Sequence, residues 1–241
     1  MTALLEVDGI SKSFSGLRAV ESVSFAVPQR AIVGLIGPNG AGKTTCFNVI
    51  AGVTRADAGE VRLAGSRIDG WRPDQVCRAG IGRTFQLVKP FAGLSVMENV
   101  VVGALNACAS VRAAKAKAAQ IIEQLGLAGK RHEVAASLTL PERKRLEVAR
   151  ALATGPRLLM LDEVMAGLRP AETDHMVSLL RELNTRMGLT ILLIEHVMRA
   201  VMALSSQLIV LNHGQVIAAG TPAEVTRDPA VLECYLGEEA V

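Results

Sequence analysis

The sequence predicts an α/β fold with a mainly parallel sheet built around a phosphate-binding turn, and three observations predict it. The first is Gly37-Pro38-Asn39-Gly40-Ala41-Gly42-Lys43-Thr44, which satisfies the pattern G-x-x-x-x-G-K-[ST] at every fixed position. The second is its setting. The apolar run over 31–36 reads as a buried strand, and 45–50 reads as the start of a helix. The third is the alternation late in the chain, where apolar runs at 157–161, 190–194 and 207–211 are separated by helical segments at 171–187 and 197–203. Strands alternating with helices make a largely parallel sheet covered on both faces.

The remaining elements follow in order. Residues 4–7 and 20–27 read as strands, the first feeding a turn near Ser15-Gly16. A short strand at 60–63, a short helix at 73–79 and a strand at 81–85 come next. From about 89 to 137 strand patterns vanish and 111–125 is Ala-rich with helical spacing, so this stretch reads as a helical insertion. Residues 142–153 form a further helix, and 221–236 two short helices split at Asp228-Pro229. The 241 residues suit one domain, with 1–88 and 138–241 forming the core and about 89–137 a helical subdomain.

Composition narrows the classes of function. Half the residues are apolar, enough for a sizeable core, yet no apolar run reaches the roughly 18 residues that suggest a membrane span. The N-terminal Met1-Thr2-Ala3-Leu4-Leu5-Glu6 lacks the basic stretch of a signal peptide, so the expected location is the cytosol. A formal charge of +3 is nearly balanced. The clusters Arg112/Lys115/Lys117 and Arg143-Lys144-Arg145 read as solvated helix faces rather than a nucleic-acid site, and 3% aromatic residues offer no base-stacking platform. Four scattered cysteines without C-x-x-C read as reduced, mostly buried thiols rather than a metal site.

The chemistry concentrates in a few residues. A glycine-rich turn entering a helix aims successive backbone N–H groups into one concavity, where the helix dipole favours an anion. Gly37 to Thr45 would cradle the phosphates of a nucleoside triphosphate, Lys43 would reach the β- and γ-phosphates, and the Thr44 hydroxyl would ligate Mg²⁺. The apolar strand over 158–163 ends in Asp162 and Glu163. Placed beside a phosphate loop, Asp162 would hold Mg²⁺ through water, and Glu163 would polarise the attacking water as general base. An acidic helix N-cap gives the same local pattern, and it is the preceding phosphate loop that favours the catalytic reading. Gln86 offers a carbonyl oxygen to Mg²⁺ and to that water. His196, after the strand at 190–194, offers a hydrogen bond to the γ-phosphate.

These motifs, in this order and spacing, resemble the ATP-binding-cassette (ABC) family of ATPases over nearly the whole chain. The resemblance adds a Q-loop at Arg83-Thr84-Phe85-Gln86, a signature-region helix over 138–152, a D-loop at Ala166-Gly167-Leu168 and a switch histidine, His196. It implies a small antiparallel β subdomain beside the core and an inserted helical subdomain. In Lys12-Ser13-Phe14-Ser15-Gly16-Leu17-Arg18-Ala19-Val20, Phe14 matches the adenine-stacking aromatic and Val20 lies in the same nucleotide-binding segment; a core Phe of a small sheet is the other reading of Phe14. The resemblance further implies a head-to-tail dimer with a second ABC ATPase subunit, homo- or heteromeric, docked on transmembrane permease subunits at the cytoplasmic face of the inner membrane. The stretch 88–101 is the expected dock. A periplasmic solute-binding protein would take part indirectly, and no nucleic acid is implied.

A closer likeness rests on Thr44-Thr45-Cys46-Phe47-Asn48, Gly82 to Gln86, Ser95-Val96-Met97-Glu98-Asn99-Val100, Leu193-Ile194-Glu195-His196 and the tail Tyr235-Leu236-Gly237-Glu238. These resemble the ATPase subunits of branched-chain amino-acid importers, the "G" member more than the "F" member. Urea and short-amide importers and lipopolysaccharide-export ATPases share much of the pattern. Cassettes of translation and DNA repair carry two fused cassettes or long coiled-coil insertions, and neither is seen; Glu163 and His196 speak against a non-hydrolysing regulatory cassette.

One segment departs from the family. Its signature is typically L-S-G-G-Q, and the chain reads Leu138-Thr139-Leu140-Pro141-Glu142. Thr139 can supply the hydroxyl that would touch the partner's ATP, whereas Pro141 has no N–H to donate. Glu142 adds a negative charge near a γ-phosphate, which repels unless Arg143 or another cation offsets it. Val164 stands where Pro is usual, and Arg169 where a small polar or acidic residue is usual. The expectation is that the chain's own nucleotide is hydrolysed when a partner supplies a standard signature, that the site completed by 138–142 is weaker, and that a heteromeric pairing is favoured.

Overall fold

The computed structural model describes residues 2–86 and 90–236. In chain order these form β1 (Ala3–Phe14), β2 (Leu17–Pro28), β3 (Ile32–Ile36), α1 (Lys43–Ile50), β4 (Ala58–Leu63), β5 (Ser66–Arg67), α2 (Pro73–Ala79), β6 (Ile81–Arg83), α3 (Val96–Ala104), α4 (Val111–Gln124), α5 (Leu140–Ala153), β7 (Leu158–Asp162), α6 (Pro170–Met187), β8 (Thr190–Ile194), α7 (Met198–Leu204), β9 (Gln207–Asn212), β10 (Gln215–Gly220), α8 (Pro222–Val225) and α9 (Pro229–Leu236).

Strands β3, β7 and β8 are buried along their whole length, which is why they read as unbroken apolar runs. They lie in a six-stranded sheet of order β10-β9-β3-β8-β7-β6, parallel except for β10 against β9. Side chains alternate between its faces. Leu159, Leu161, Ile191, Leu193, Leu208 and Val210 point into a core shared with α3 to α7. Leu158, Met160, Leu192, Ile194, Ile209 and Leu211 point into a second core with α1 and the antiparallel strands. The same alternation puts Asp162, two residues beyond Met160, on the α1 face. That alternation carries the site's geometry: the acidic end of β7 and the loop before α1 open on one side.

A four-stranded antiparallel sheet, β2-β1-β4-β5, packs over α1 through this second core. Strand β1 is far longer than 4–7 and turns into β2 through Ser15-Gly16, both at positive φ (46° and 88°), the two-residue hairpin geometry. The insertion is helical as expected. It also contains α3, which its sequence shows only as an apolar run, capped by a Ser95–Glu98 capping box. Buried Asn99 pins the chain ahead of it, accepting from the Phe91 N–H (2.9 Å) and donating to the Phe91, Leu94 and Ser95 carbonyls. Helix α5 packs on α3 and α4 and also on β6 and β7, so it belongs to both parts of the molecule.

Strand β8 lies between β7 and β3, an order the sequence did not specify. Several sequence expectations are corrected. Strand β6 stops at Arg83: the Thr84 N–H still donates to the Met160 carbonyl, but the Thr84 hydroxyl takes the Asp162 N–H and the Phe85 N–H turns to the Glu147 carboxylate. Strand β10 was missed because its Ala- and Gly-rich sequence lacks a strand's bulky alternation. The run Arg143-Lys144-Arg145 is not a solvated face: Lys144 is only 4% exposed. Of the four thiols only Cys46 is buried, and burial pushes its pKa to about 12. Among the described residues no helix is long and apolar enough to cross a membrane.

Candidate active site

The loop from Gly37 to Gly42 joins the end of β3 to the first turn of α1, and its shape needs glycine at two points. Gly37 sits at φ 145°, where a Cβ would come 2.0 Å from the Leu211 carbonyl oxygen; Gly42 sits at φ 99°, where a Cβ would come 2.4 Å from that of Ala19. Neighbouring strands therefore press the loop into its curve. Lys43 folds back over it, donating to the Gly37 and Pro38 carbonyls at 2.7 and 2.8 Å. Pro38 and Ala41 are buried, Asn39, Gly40 and Thr44 exposed, and Thr45 half-buried. The first turn of α1 carries no acidic residue, so nothing there opposes a phosphate.

Asp162 is 1% exposed. Its Oδ2 accepts from Arg83 Nη2 at 3.1 Å, while Oδ1 is buried with no hydrogen-bond partner among the described residues. Burial raises its pKa, with the Arg83 bond opposing. An orphaned buried carboxylate oxygen suits a bound cation or its water, and Mg²⁺ typically uses one or two carboxylates together with substrate phosphates. Asp162, Thr44 and Gln86 line one cavity of about 670 Å³. The donor set therefore fits Mg²⁺.

Glu163 follows in the left-handed region, at φ 51°, a strained conformation for a residue with a side chain. Three polar contacts surround the turn. The Glu163 N–H donates to the Ile194 carbonyl (2.9 Å), its carbonyl accepts from Lys144 Nζ (2.7 Å), and the Met165 N–H donates to Glu195 Oε1 (2.8 Å). The turned side chain meets two of the predicted residues: Gln86 Nε2 donates to Oε2 at 3.1 Å, and His196 Nε2 lies 3.2 Å from Oε1. Gln86, Glu163 and His196, from the ends of three neighbouring strands, thus converge on one carboxylate.

The other predicted residues are placed as follows. Phe14, 47% exposed at the end of β1, has Lys12 Nζ 5.5 Å from its ring centroid, so it presents a ring to solvent rather than serving as a core residue. Val20 is buried beneath Gly42 and shapes the loop from below. Thr139 is the N-cap of α5, and its hydroxyl and N–H both donate to Glu142 Oε2 at 2.8 Å. Glu142 is therefore a capping carboxylate rather than a free charge, its pKa lowered first by the Thr139 N–H bond. Pro141 lies in the first turn of the same helix, where its missing donor costs nothing. Residues 87–89, including the start of the expected dock, and the end of the tail motif lie outside the described residues.

Sequence reasoning assigned no role to Arg83, Lys144, Glu147 or Glu195. A signal was present: charged residues inside apolar periodic segments rarely stay unpaired.

A glycine-rich loop at a helix start, an acidic strand end and a Gln–Glu–His convergence are the arrangement of an ATP-binding cassette. Residues 20–166 match the ABC transporter family, and the chain belongs to the ABC transporter ATP-binding family. Its residues 215–241 match the branched-chain amino acid ATP-binding cassette transporter family. The chain is 41% identical to the high-affinity branched-chain amino acid transport ATP-binding protein LivG of Salmonella typhimurium, covering 98% of each. It is 39% identical to BraF, of the same description, from Pseudomonas aeruginosa, covering 98% of each. The lipopolysaccharide export system ATP-binding protein LptB of Haemophilus influenzae is 33% identical, again over 98% of each. Among solved structures, the ADP conformation of MJ1267, an ATP-binding cassette of an ABC transporter, superposes with a TM-score of 0.89 at 32% identity, over 98% of this chain and 100% of that one.

Proposed function

We propose that this protein binds and hydrolyses ATP to energise a membrane importer of branched-chain or related amino acids. The observation that carries the hydrolytic reading is the convergence of Gln86 and His196 on the Glu163 carboxylate. Phe14 stacks on the adenine, and the loop from Gly37 to Thr45 binds the phosphates through its N–H groups. Lys43 exchanges the carbonyls it now holds for phosphate oxygens. Thr44, Asp162 and Gln86 would hold Mg²⁺, which would supply charge neutralisation for the phosphates. Glu163 polarises the attacking water as general base, Gln86 orients that water, and His196 donates to the γ-phosphate. The amino-acid specificity rests on the LivG and BraF relatives and on the matched C-terminal segment.

The apolar part of the same cavity that Thr44, Asp162 and Gln86 line supports a permease dock. It runs between α1, α2, β6, α3 and α5, lined by Val53, Phe85 and Val102, which remain exposed. A permease segment seated there touches Phe85 and so reaches Gln86 through one peptide unit. A second cassette closes the nucleotide site with its own signature, and the assembly sits on the cytoplasmic face of the membrane. Substituting Glu163→Gln tests the reading. Steady-state hydrolysis in the assembled complex should be abolished while ATP binding persists, and labelled leucine uptake by a strain lacking the protein should be restored only by the wild type. Persistent turnover in Glu163→Gln would overturn the catalytic assignment; uptake unaffected by loss of the protein would overturn the substrate.

A further inference from the structure

Helix α5 reaches the catalytic residues from behind at two points. Lys144 and Glu147, three residues apart and so on one face, are 4% and 6% exposed. Lys144 Nζ donates to the Glu163 carbonyl at 2.7 Å. Glu147 Oε1 accepts from the Phe85 N–H at 2.7 Å. Phe85 precedes Gln86, and Gln86 Nε2 donates to the Glu163 carboxylate at 3.1 Å. The contacts close a ring: one helix face, the Glu163 turn, the Gln86 loop, and the same helix face again.

A buried ammonium and a buried carboxylate are expensive to maintain, and both here spend a hydrogen bond on the backbone of a catalytic loop. Each loop needs such a hold. The Glu163 turn is strained at φ 51°, and β6 ends at Arg83, so Phe85 and Gln86 have no strand pairing of their own.

We propose that Lys144 and Glu147 are positioning residues that yoke Glu163 and Gln86 to α5, so that the general base and the water-orienting amide keep their mutual geometry as α5 moves. This rests on the reading of Glu163 and Gln86 given above. Among the described residues neither Lys144 nor Glu147 hydrogen-bonds to the phosphate loop, each being held by the backbone of a catalytic loop, so the main effect is expected on the chemical step rather than on nucleotide binding.

The test compares Lys144→Met, Lys144→Arg, Glu147→Leu and Glu147→Gln with wild type and Glu163→Gln in the assembled complex. A misplacement of about 1 Å at a reacting group costs up to roughly 100-fold. Lys144→Met and Glu147→Leu are expected to lower kcat by about 10- to 100-fold with KM for ATP within about 2-fold. Lys144→Arg and Glu147→Gln, which keep a donor and an acceptor in place, should recover most of that loss. Hydrogen exchange on the purified chain should show the Phe85 amide exchanging faster in Glu147→Leu, a readout that needs no turnover. Should Lys144→Met not fold, Glu147→Leu against Glu147→Gln carries the same comparison. Unchanged kcat, KM rising in step with the loss of kcat, or conservative variants as damaged as the deletions would each overturn the yoke. If Glu163→Gln is inactive while Lys144→Met and Glu147→Leu turn over normally, only the yoke falls. If Glu163→Gln still turns over, the catalytic reading falls first.

Discussion

Replacing Glu195 with Gln should flatten the pH dependence of this protein's stability. Glu195 is 1% exposed; its Oε1 accepts from the Met165 N–H at 2.8 Å, while Oε2 has no partner among the described residues. Burial pushes its pKa from 4.5 to about 7, against the opposing effects of the Met165 bond and nearby Lys144. Because the folded value is raised, the native state binds this proton more tightly than the unfolded chain does. The stabilisation is complete below about pH 4.5 and is lost as pH rises through about 7. Between pH 5 and pH 8 the linkage amounts to about 2.5 kcal/mol, or roughly 5–10 °C in Tm for a domain of this size. Glutamine keeps the acceptor for Met165 and carries no charge. Asp162 and Glu147 also have raised values, so the wild type loses further stability with pH. Subtracting the variant isolates the contribution of Glu195. Denaturant and thermal unfolding of both proteins at pH 5, 6, 7 and 8 measures it. A wild-type-to-variant gap that stays constant across that range would refute the reasoning, because it would mean Glu195 ionises alike in both states.

Three other variants separate the parts of the site. Pro141→Gly with Glu142→Gln restores a donor and removes a charge in the signature; turnover of the assembled complex should rise several-fold, at a stability cost of about 1 kcal/mol for the altered helix start. No change in turnover or ATP affinity would show that the capping box is compatible with a fully working signature. Phe14→Ala should weaken ATP binding by about 1 kcal/mol, roughly 5-fold, measured by calorimetry on the purified chain. Asp162→Asn should lower affinity for Mg-ATP about 10-fold or more while leaving ATP in EDTA bound as by wild type. Equal losses with and without the metal would remove Asp162 from the cation site.

The proposed catalytic set was legible because its members sit in local patterns. The loop before α1 has a fixed glycine spacing, and Asp162 and Glu163 end an apolar strand. Gln86 and His196 gained meaning only beside the other motifs and the family likeness they carry. What was not legible comes from contacts between segments far apart in sequence. Lys144 lies in a basic triplet that reads as solvated, and only the packing of α5 behind β7 turns its ammonium toward the Glu163 carbonyl. Glu147 and the Phe85 amide are 62 residues apart, and no periodicity links them. Glu142 read as a repulsive charge until the first turn of α5 folded its carboxylate onto Thr139.

The sequence by itself determined the α/β class, the phosphate loop, the acidic strand end and the family, because these depend on side-chain type and local period. The order of strands, with β8 between β3 and β7, and the face to which each polar side chain is turned were decided only by tertiary structure. The physical reason is that a buried charge is tolerated only where a distant segment supplies its partner, and the partner's identity is a property of the packed core rather than of the neighbouring residues.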